Sequence, residues 1–430
     1  SDLDDGYISS SKAAIVSASD YSSDATIVSS TTASGRYARR RLVTEERNTE
    51  PRRTVEVPSH FDEKETEMRE HRTIVTFPRH KNFAVDEDDY RVVEQIINHY
   101  YRGAEETLNR TWNTNRQIGY MSVEAVRNKI EVAEGDKHRR VFKLRLPRSI
   151  KILPPNAVQL GALAVLDLSF SNVSELPSWI GNIKSLTELI LYCTRELKSL
   201  PVEIGTATNL QVLNLEYSSI SSLPASAGNL TNLRDLNLRS TERLKNLPNE
   251  IGGATNLEHL DLSDSCISSL PSSIGSLKKL RELLLHRAGK LRSLPNNIGH
   301  LSNLRKLILS YSGIASLPAS IGALENLEEF NLCGAKKLQT LPDEIGNLTK
   351  LHKLNLSFSC LSSLPNTIKN LRSLKVLNLR SARNLRTLPD GIGNLNNLQK
   401  LDLSYSCISF LPDTIGNLKN LQGLNRSEEH

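Results

Sequence analysis

The side chains best suited to chemistry lie close together near the middle of the 430-residue chain. His259, Asp261, Asp264 and His286 bring two imidazoles and two carboxylates into one short stretch. Such a set could ligate a divalent metal, or divide the work of general acid and base. The surrounding motifs do not support either use. No GxxxxGK[ST] phosphate loop, HExxH helix or CxxC pair is written anywhere in the chain. Ordinary polar contacts account for the four residues without special geometry. No catalytic residue is assigned, and neither a metal nor a cofactor is expected.

A second kind of chemistry is non-covalent and periodic. Phe170, Tyr217, Asp264, Tyr311, Phe358 and Tyr405 recur at intervals of 47 residues, each directly after an LxLS or equivalent. Tyr192, Arg239, His259, His286 and Arg380 belong to the same candidate surface. A basic edge follows in the intervening stretches: Lys198, Lys245, Arg292, Lys336, Lys337 and Arg386. Exposed rings at regular spacing form a partner surface, and cations beside them steer an acidic protein patch. The alternative is plain: the rings act as packing spacers and the cations as a solubilising edge.

Those residues owe their spacing to a repeat. From Leu163 to Leu421 the opening leucines fall at intervals that alternate between 23 and 24 residues, so the true period is 47. Eleven full units of the form LxxLxLxxSxIxxLPxxIGxLxx fit, after a degenerate opening unit from Val141. That length and pattern are those of a leucine-rich repeat. The LxL element predicts a short parallel strand with leucines inward and the intervening residues outward. Leu-Pro is expected to end the strand and turn the chain, and Ile-Gly to supply a left-handed convex turn. Ser171 and its equivalents, alternating with Thr194, Thr241, Ala288, Ala335 and Ala382, hold the place where asparagine usually bridges coils. Every second rung of such a ladder would be weaker. The fold class expected is an α/β leucine-rich-repeat solenoid over residues 141–425, with a parallel-strand concave sheet and an irregular or 3₁₀ convex side.

The chain before the repeats has a different texture. Residues 1–34 hold eleven serines, three threonines and the single basic residue Lys12, a composition too polar to fold alone. Seven arginines and three glutamates follow between Arg36 and Arg53, completing a disordered leader over 1–54. A linker spans 55–87. Residues 88–140 are expected to form a small helical cap, one helix starting near Asp88 and a second between Ser122 and Gly135. The net charge of +6 is modest, and the basic run lacks interleaved aromatics, so nucleic acid is not an expected partner. No apolar run is long enough to cross a bilayer, and no membrane contact is expected. The array reads as a monomer. Five cysteines, an odd number, favour a reducing compartment, and Cys266, Cys360 and Cys407 read as small buried residues. Sequons at Asn172, Asn229, Asn347 and Asn355 include one inside a predicted strand, so the chain is expected to work inside a cell.

The repeats alone resemble those of plant intracellular receptors, but no nucleotide-binding module precedes them. The whole layout is more similar to the leucine-rich-repeat type III effectors of plant-pathogenic Xanthomonas, of the XopL and XopAE kind. The shared features are the Ser-rich leader, the Arg-rich stretch and the segment "LNRTWNTNRQ" (Leu108 to Gln117). After them come "EAVRNKIEVAEG", the degenerate strand "FKLRL" and the repeats. The resemblance implies secretion into a host cytoplasm and recruitment of a host protein that serves immunity or signalling. Some such effectors carry a C-terminal ubiquitin-ligase domain, which would make this chain a substrate-recognition part with a ubiquitin-system partner. The chain stops within a unit at "LQGLNRSEEH". Either a catalytic domain follows in the complete protein, or the protein binds without catalysing. A plant scaffold or receptor fragment is the third reading.

Overall fold

The computed structural model describes residues 91–92, 130–132, 141–146, 148, 150–153 and 155–426. Two units divide the chain, Ser1–Glu70 and His71–His430, and every described residue belongs to the second. The leader, the linker and most of the expected helical cap lie outside the described residues. Of the first expected helix, Arg91 and Val92 are described, both helical, with Val92 buried.

Among the described residues, fourteen strands form one sheet in strict chain order. β1 (Ile130–Val132) pairs antiparallel with β2 (Val141–Arg145). From β2 onward all strands run parallel, through β3 (Val165–Asp167) to β14 (Gly423–Asn425). The second expected helix is therefore corrected at its end, because Ile130–Val132 is a strand. Two β-branched residues favour extended backbone, and pairing with β2 occupies an edge that would otherwise stay open.

Each strand from β4 (Glu188–Ile190) onward is three residues long, and its middle leucine or phenylalanine sits beside its counterparts, as in Leu354↔Leu377 and Leu377↔Leu401. Up to β13 (Lys400–Asp402) that middle residue is buried and its neighbours are half-buried or exposed outward, as the LxL pattern predicts. One continuous core runs from Val141 to Leu418. Fully burying a leucine contributes about 1.5–3 kcal/mol relative to leaving it in water, and no coil could bury its own leucines without neighbours. The chain forms the expected solenoid.

Three local expectations change. Strands do not end at Leu-Pro. Asp or Asn at the last strand position accepts a hydrogen bond from the N–H two residues on, as Asn214 does from Glu216 and Asn378 from Arg380, both at 2.9 Å. The next residue then turns left-handed. The prolines come later and sit before the 3₁₀ turns, with φ near −65° to −70° and a carbonyl that accepts the first turn bond, as in Ile180 N to Pro177 O. Proline fits there because its fixed φ prepares the turn and no donor is lost.

The Ile-Gly glycines are not left-handed either; among the described glycines, Gly334 alone has positive φ. They are required by close approach of the next coil. A Cβ on Gly205 would sit 2.4 Å from the Ser226 carbonyl oxygen, and one on Gly393 2.2 Å from that of Thr414. Finally, the Ser/Thr/Ala column does not bridge coils. Thr194, Thr241, Ser265 and Ser406 donate to the carbonyl three residues back in their own coil at 2.6–2.8 Å. The hydroxyls of Ser171, Ser218, Ser312 and Ser359 are buried and make no protein hydrogen bond. Ala288, Ala335 and Ala382 are fully buried, and Ala288 closes the same backbone turn, N–H to Leu285 O, that Ser312 closes to Leu309 O. The ladder lies elsewhere. Asn209, Asn232, Asn256, Asn303, Asn326, Asn397 and Asn420, each just before an opening leucine, donate to a carbonyl of the preceding coil at 2.6–2.8 Å.

A ridge of left-handed residues along the strand edge

One residue after each strand of the repeats is left-handed. In chain order these are Phe170, Cys193, Tyr217, Ser240, Asp264, Arg287, Tyr311, Gly334, Phe358, Ser381 and Tyr405, with φ between 53° and 67°. Left-handed backbone costs a residue with a Cβ roughly 1 kcal/mol or more. The compensation is a hydrogen bond between coils. Phe170 N–H donates to Tyr192 O at 2.7 Å, Tyr217 to Arg239 at 2.9 Å and Phe358 to Arg380 at 2.8 Å, and this continues the sheet beyond its last strand residue. Glycine would adopt the turn without strain, yet ten of the eleven positions carry a side chain.

Five of those side chains are rings that remain 36–46% exposed: Phe170, Tyr217, Tyr311, Phe358 and Tyr405. They alternate with ring-free left-handed residues because of the 47-residue period, so they stand on every second coil. Adjacent parallel strands lie about 4.8 Å apart, which puts rings two coils apart about 9.6 Å from each other along one edge.

The ridge has three parts. At its start, Arg148 lies 4.5 Å over the Phe170 ring, and Tyr192 bridges Phe170 and Tyr217 edge-on at 5.0 and 5.8 Å. Desolvation, then the Glu216 carboxylate, pushes the Tyr192 phenol up, so it stays neutral. In the middle, Asp264 replaces the ring and meets Arg239 at 3.4 Å and Arg287 at 3.7 Å. Beyond it, Tyr311 sits edge-on to His286 at 5.8 Å and covers Gly334, where a Cβ would fall 2.4 Å from the ring. A hydrogen bond to Cys333 and partial burial raise the Tyr311 phenol above its ordinary value. Arg380 lies 4.9 Å over Tyr405. The rings thus pack on their neighbours and present a face to solvent.

The central cluster of titratable groups does not assemble. His259 stands in β7 (His259–Asp261), in register with Asp235 of β6 (Asp235–Asn237) and Glu282 of β8 (Glu282–Leu284), and its Nδ1 is 3.9 Å from Glu282. Asp261 accepts the Ser263 N–H at 2.8 Å. His286 Nδ1 is 2.7 Å from the Ser310 hydroxyl. Among the described residues no three such side chains are placed to hold a metal ion. Cys266 and Cys360 are half-buried and Cys407 is exposed, which corrects the expectation of buried thiols.

Lys198, Lys245, Arg292, Lys336, Lys337 and Arg386 are all exposed, on the loops just past the ridge. The extra residue of each long unit forms a second turn there, closed by Leu197 N to Thr194 O, Leu244 to Thr241, Leu291 to Ala288, Leu338 to Ala335 and Leu385 to Ala382. Lys336 and Lys337 occupy one of its tips. Arg148, Arg287, Cys333 and Gly334 complete the ridge and were not expected from the pattern. The left-handed column could have been found from the Asp/Asn that stands three residues before most of its members.

A family profile for a leucine-rich repeat region matches residues 225–307, and one for leucine rich repeats matches residues 372–427. A leucine-rich-repeat protein of Leptospira interrogans is 30% identical, with 64% of this chain and 81% of that one covered, at a TM-score of 0.43. The leucine-rich-repeat domain of the type III effector XopL is 32% identical over 50% of this chain and 75% of that one, at 0.45. The functional domain of the internalin InlJ from Listeria monocytogenes is 19% identical, covering 65% and 56%, with a TM-score of 0.52. No curated protein sequence matches the chain.

Proposed function

The chain belongs to the leucine-rich-repeat proteins, and from that premise we propose that it recognises another protein along the ridge of left-handed residues. The observation that carries the reading is the placing of five exposed rings at positions whose backbone favours glycine. The turn alone needs only positive φ, which glycine supplies without strain, and strained conformations are retained where they serve a site. Repeat arrays bind protein partners over their extended strand face.

The test places a photo-crosslinking residue at Arg380, exposed beside the Tyr405 ring on the ridge, or at Asn366, exposed in a 3₁₀ turn. A protein partner should crosslink from position 380 and not from position 366. Phe358→Ala should weaken that partner's binding roughly 30-fold, since losing a buried interface ring commonly costs about 2 kcal/mol. Crosslinking that is equal from both positions would reject the ridge.

The finer reading is a type III effector that carries the ridge into a host cytoplasm to engage a host protein of immunity or signalling. Its support is the sequence layout of Ser-rich leader, Arg-rich stretch and repeats. A reporter fused to residues 1–34 should be exported by a type III apparatus, and export of the full chain should stop when they are deleted. Undiminished export of the deleted chain would remove this reading while leaving the binding surface untouched.

A further inference from the structure

The spacing and charge of the ridge together specify what kind of chain would lie along it. Between Ala288 and Phe410, the loops joining ridge to proline comprise residues 288–293, 312–316, 335–340, 359–363, 382–387 and 406–410. They carry Lys290, Arg292, Lys336, Lys337, Arg383 and Arg386 and no carboxylate. The corresponding loops nearer the N-terminus are mixed, with Glu175, Glu196 and Glu242 among their cations. The all-basic half is also the half in which three rings, Tyr311, Phe358 and Tyr405, follow one another along the ridge, with Gly334 and Ser381 as the left-handed residues between them.

We propose that this C-terminal half of the ridge binds an acidic segment of another chain in polyproline II conformation, running across the coils. The inference rests on the binding function proposed above and names its occupant. A polyproline II helix has three residues per turn and rises about 3.1 Å per residue, so it presents the same face every 9.3 Å. Rings on every second coil are about 9.6 Å apart. Over the two steps from Tyr311 to Tyr405 the mismatch grows to about 0.6 Å, which side chains absorb. An extended strand repeats its face at about 6.7 Å or 13.4 Å, out of phase with the rings. An α-helix returns after seven residues, about 10.5 Å, and slips by roughly 1.8 Å over the same span. A polyproline II helix also has three faces. One meets the rings, as proline does on aromatic-lined grooves. A second, carrying an acidic residue at every third position, faces the row of cations.

The experiment titrates the full chain with an 18-residue peptide repeating Pro-Pro-Glu. Controls of equal length repeat Gly-Gly-Glu, with the same charge and no stiffness, and Pro-Pro-Lys, with the charge reversed. Calorimetry or fluorescence anisotropy should show Pro-Pro-Glu binding at least tenfold more tightly than either control. Phe358→Ala, which removes a ring that is 43% exposed, should weaken that binding at least fivefold at unchanged melting temperature. Lys336→Glu with Lys337→Glu should weaken it further at low salt than at high salt. Equal affinity for Pro-Pro-Glu and Gly-Gly-Glu would overturn the proposal in favour of charge alone. Insensitivity to Phe358→Ala would place the peptide off the ridge and overturn it too. A chain that crosslinks a protein from position 380 but ignores Pro-Pro-Glu would keep the ridge as a binding surface and reject this occupant.

Discussion

Lys369 occupies a place where its counterparts are glycines, and the next coil answers it. In the neighbouring coils a glycine faces a residue with a side chain, Gly346 against Thr367 and Gly393 against Thr414. At Lys369 the order is inverted. Gly391 stands opposite, and a Cβ on it would fall 2.9 Å from the Cβ of Lys369. One Cβ fits between adjacent coils at this height, and two do not. Gly391→Thr should therefore destabilise by about 1–3 kcal/mol, the usual range for overpacking. Combining it with Lys369→Gly rebuilds the Gly346–Thr367 arrangement and should recover most of the loss, a coupling that chemical denaturation of the two single variants and the double variant would measure. Additive losses would show that the contact is not shared. The sequence displays both exceptions, but their relation needs the 22-residue offset that only the stacking of turns defines. The same holds for the asparagine ladder, visible as Asn before leucine yet unassigned until its carbonyl partners are placed.

Neighbouring coils also set the response to pH. Burial lowers His286, against the pull of Asp264 and with the repulsion of Arg287 and Arg239, so the fold favours its neutral form. That contribution is present above the ordinary imidazole range and is lost as pH falls through the lowered value. Burial raises Asp235, ahead of the opposing attraction of His259 and the repulsion of Glu282, Asp261 and Glu258. The sign reverses here: the contribution is present at low pH and lost as the carboxyl ionises. Between pH 7.5 and 5, wild type should lose more melting temperature than His286→Gln. Asp235→Asn should gain relative to wild type between pH 3.5 and 7. Parallel curves for a variant and wild type would show that its residue does not couple to folding. At this scale the strands, their spacing and the stripe of rings were legible, because a strict 47-residue beat admits one alternation. The turn that lifts the rings was not, because large aromatic residues give no hint of positive φ.

Across the molecule, stability depends on having a neighbour on each side. Leu388, Ile392 and Leu398 are buried, while their counterparts in the last described coil, Leu411, Ile415 and Leu421, are only partly covered, and Leu424 is 42% exposed. Amide exchange in this chain should be fastest from Asp402 onward and slowest in the middle coils, since opening can begin in the least covered of the described coils. Equal protection at both places would reveal a contact that covers the last coil. The repeat length and its continuous core followed from sequence alone. The alternation of coils also bears on how such an array can change its length. Recombination between similar segments that inserts or removes 47 residues leaves every ring beside the same kinds of neighbour. A step of 23 or 24 would set two ring-bearing coils, or two ring-free ones, side by side, crowding the ridge or breaking it. Inheritance should therefore count this array in pairs, and related genes should differ by even numbers of coils.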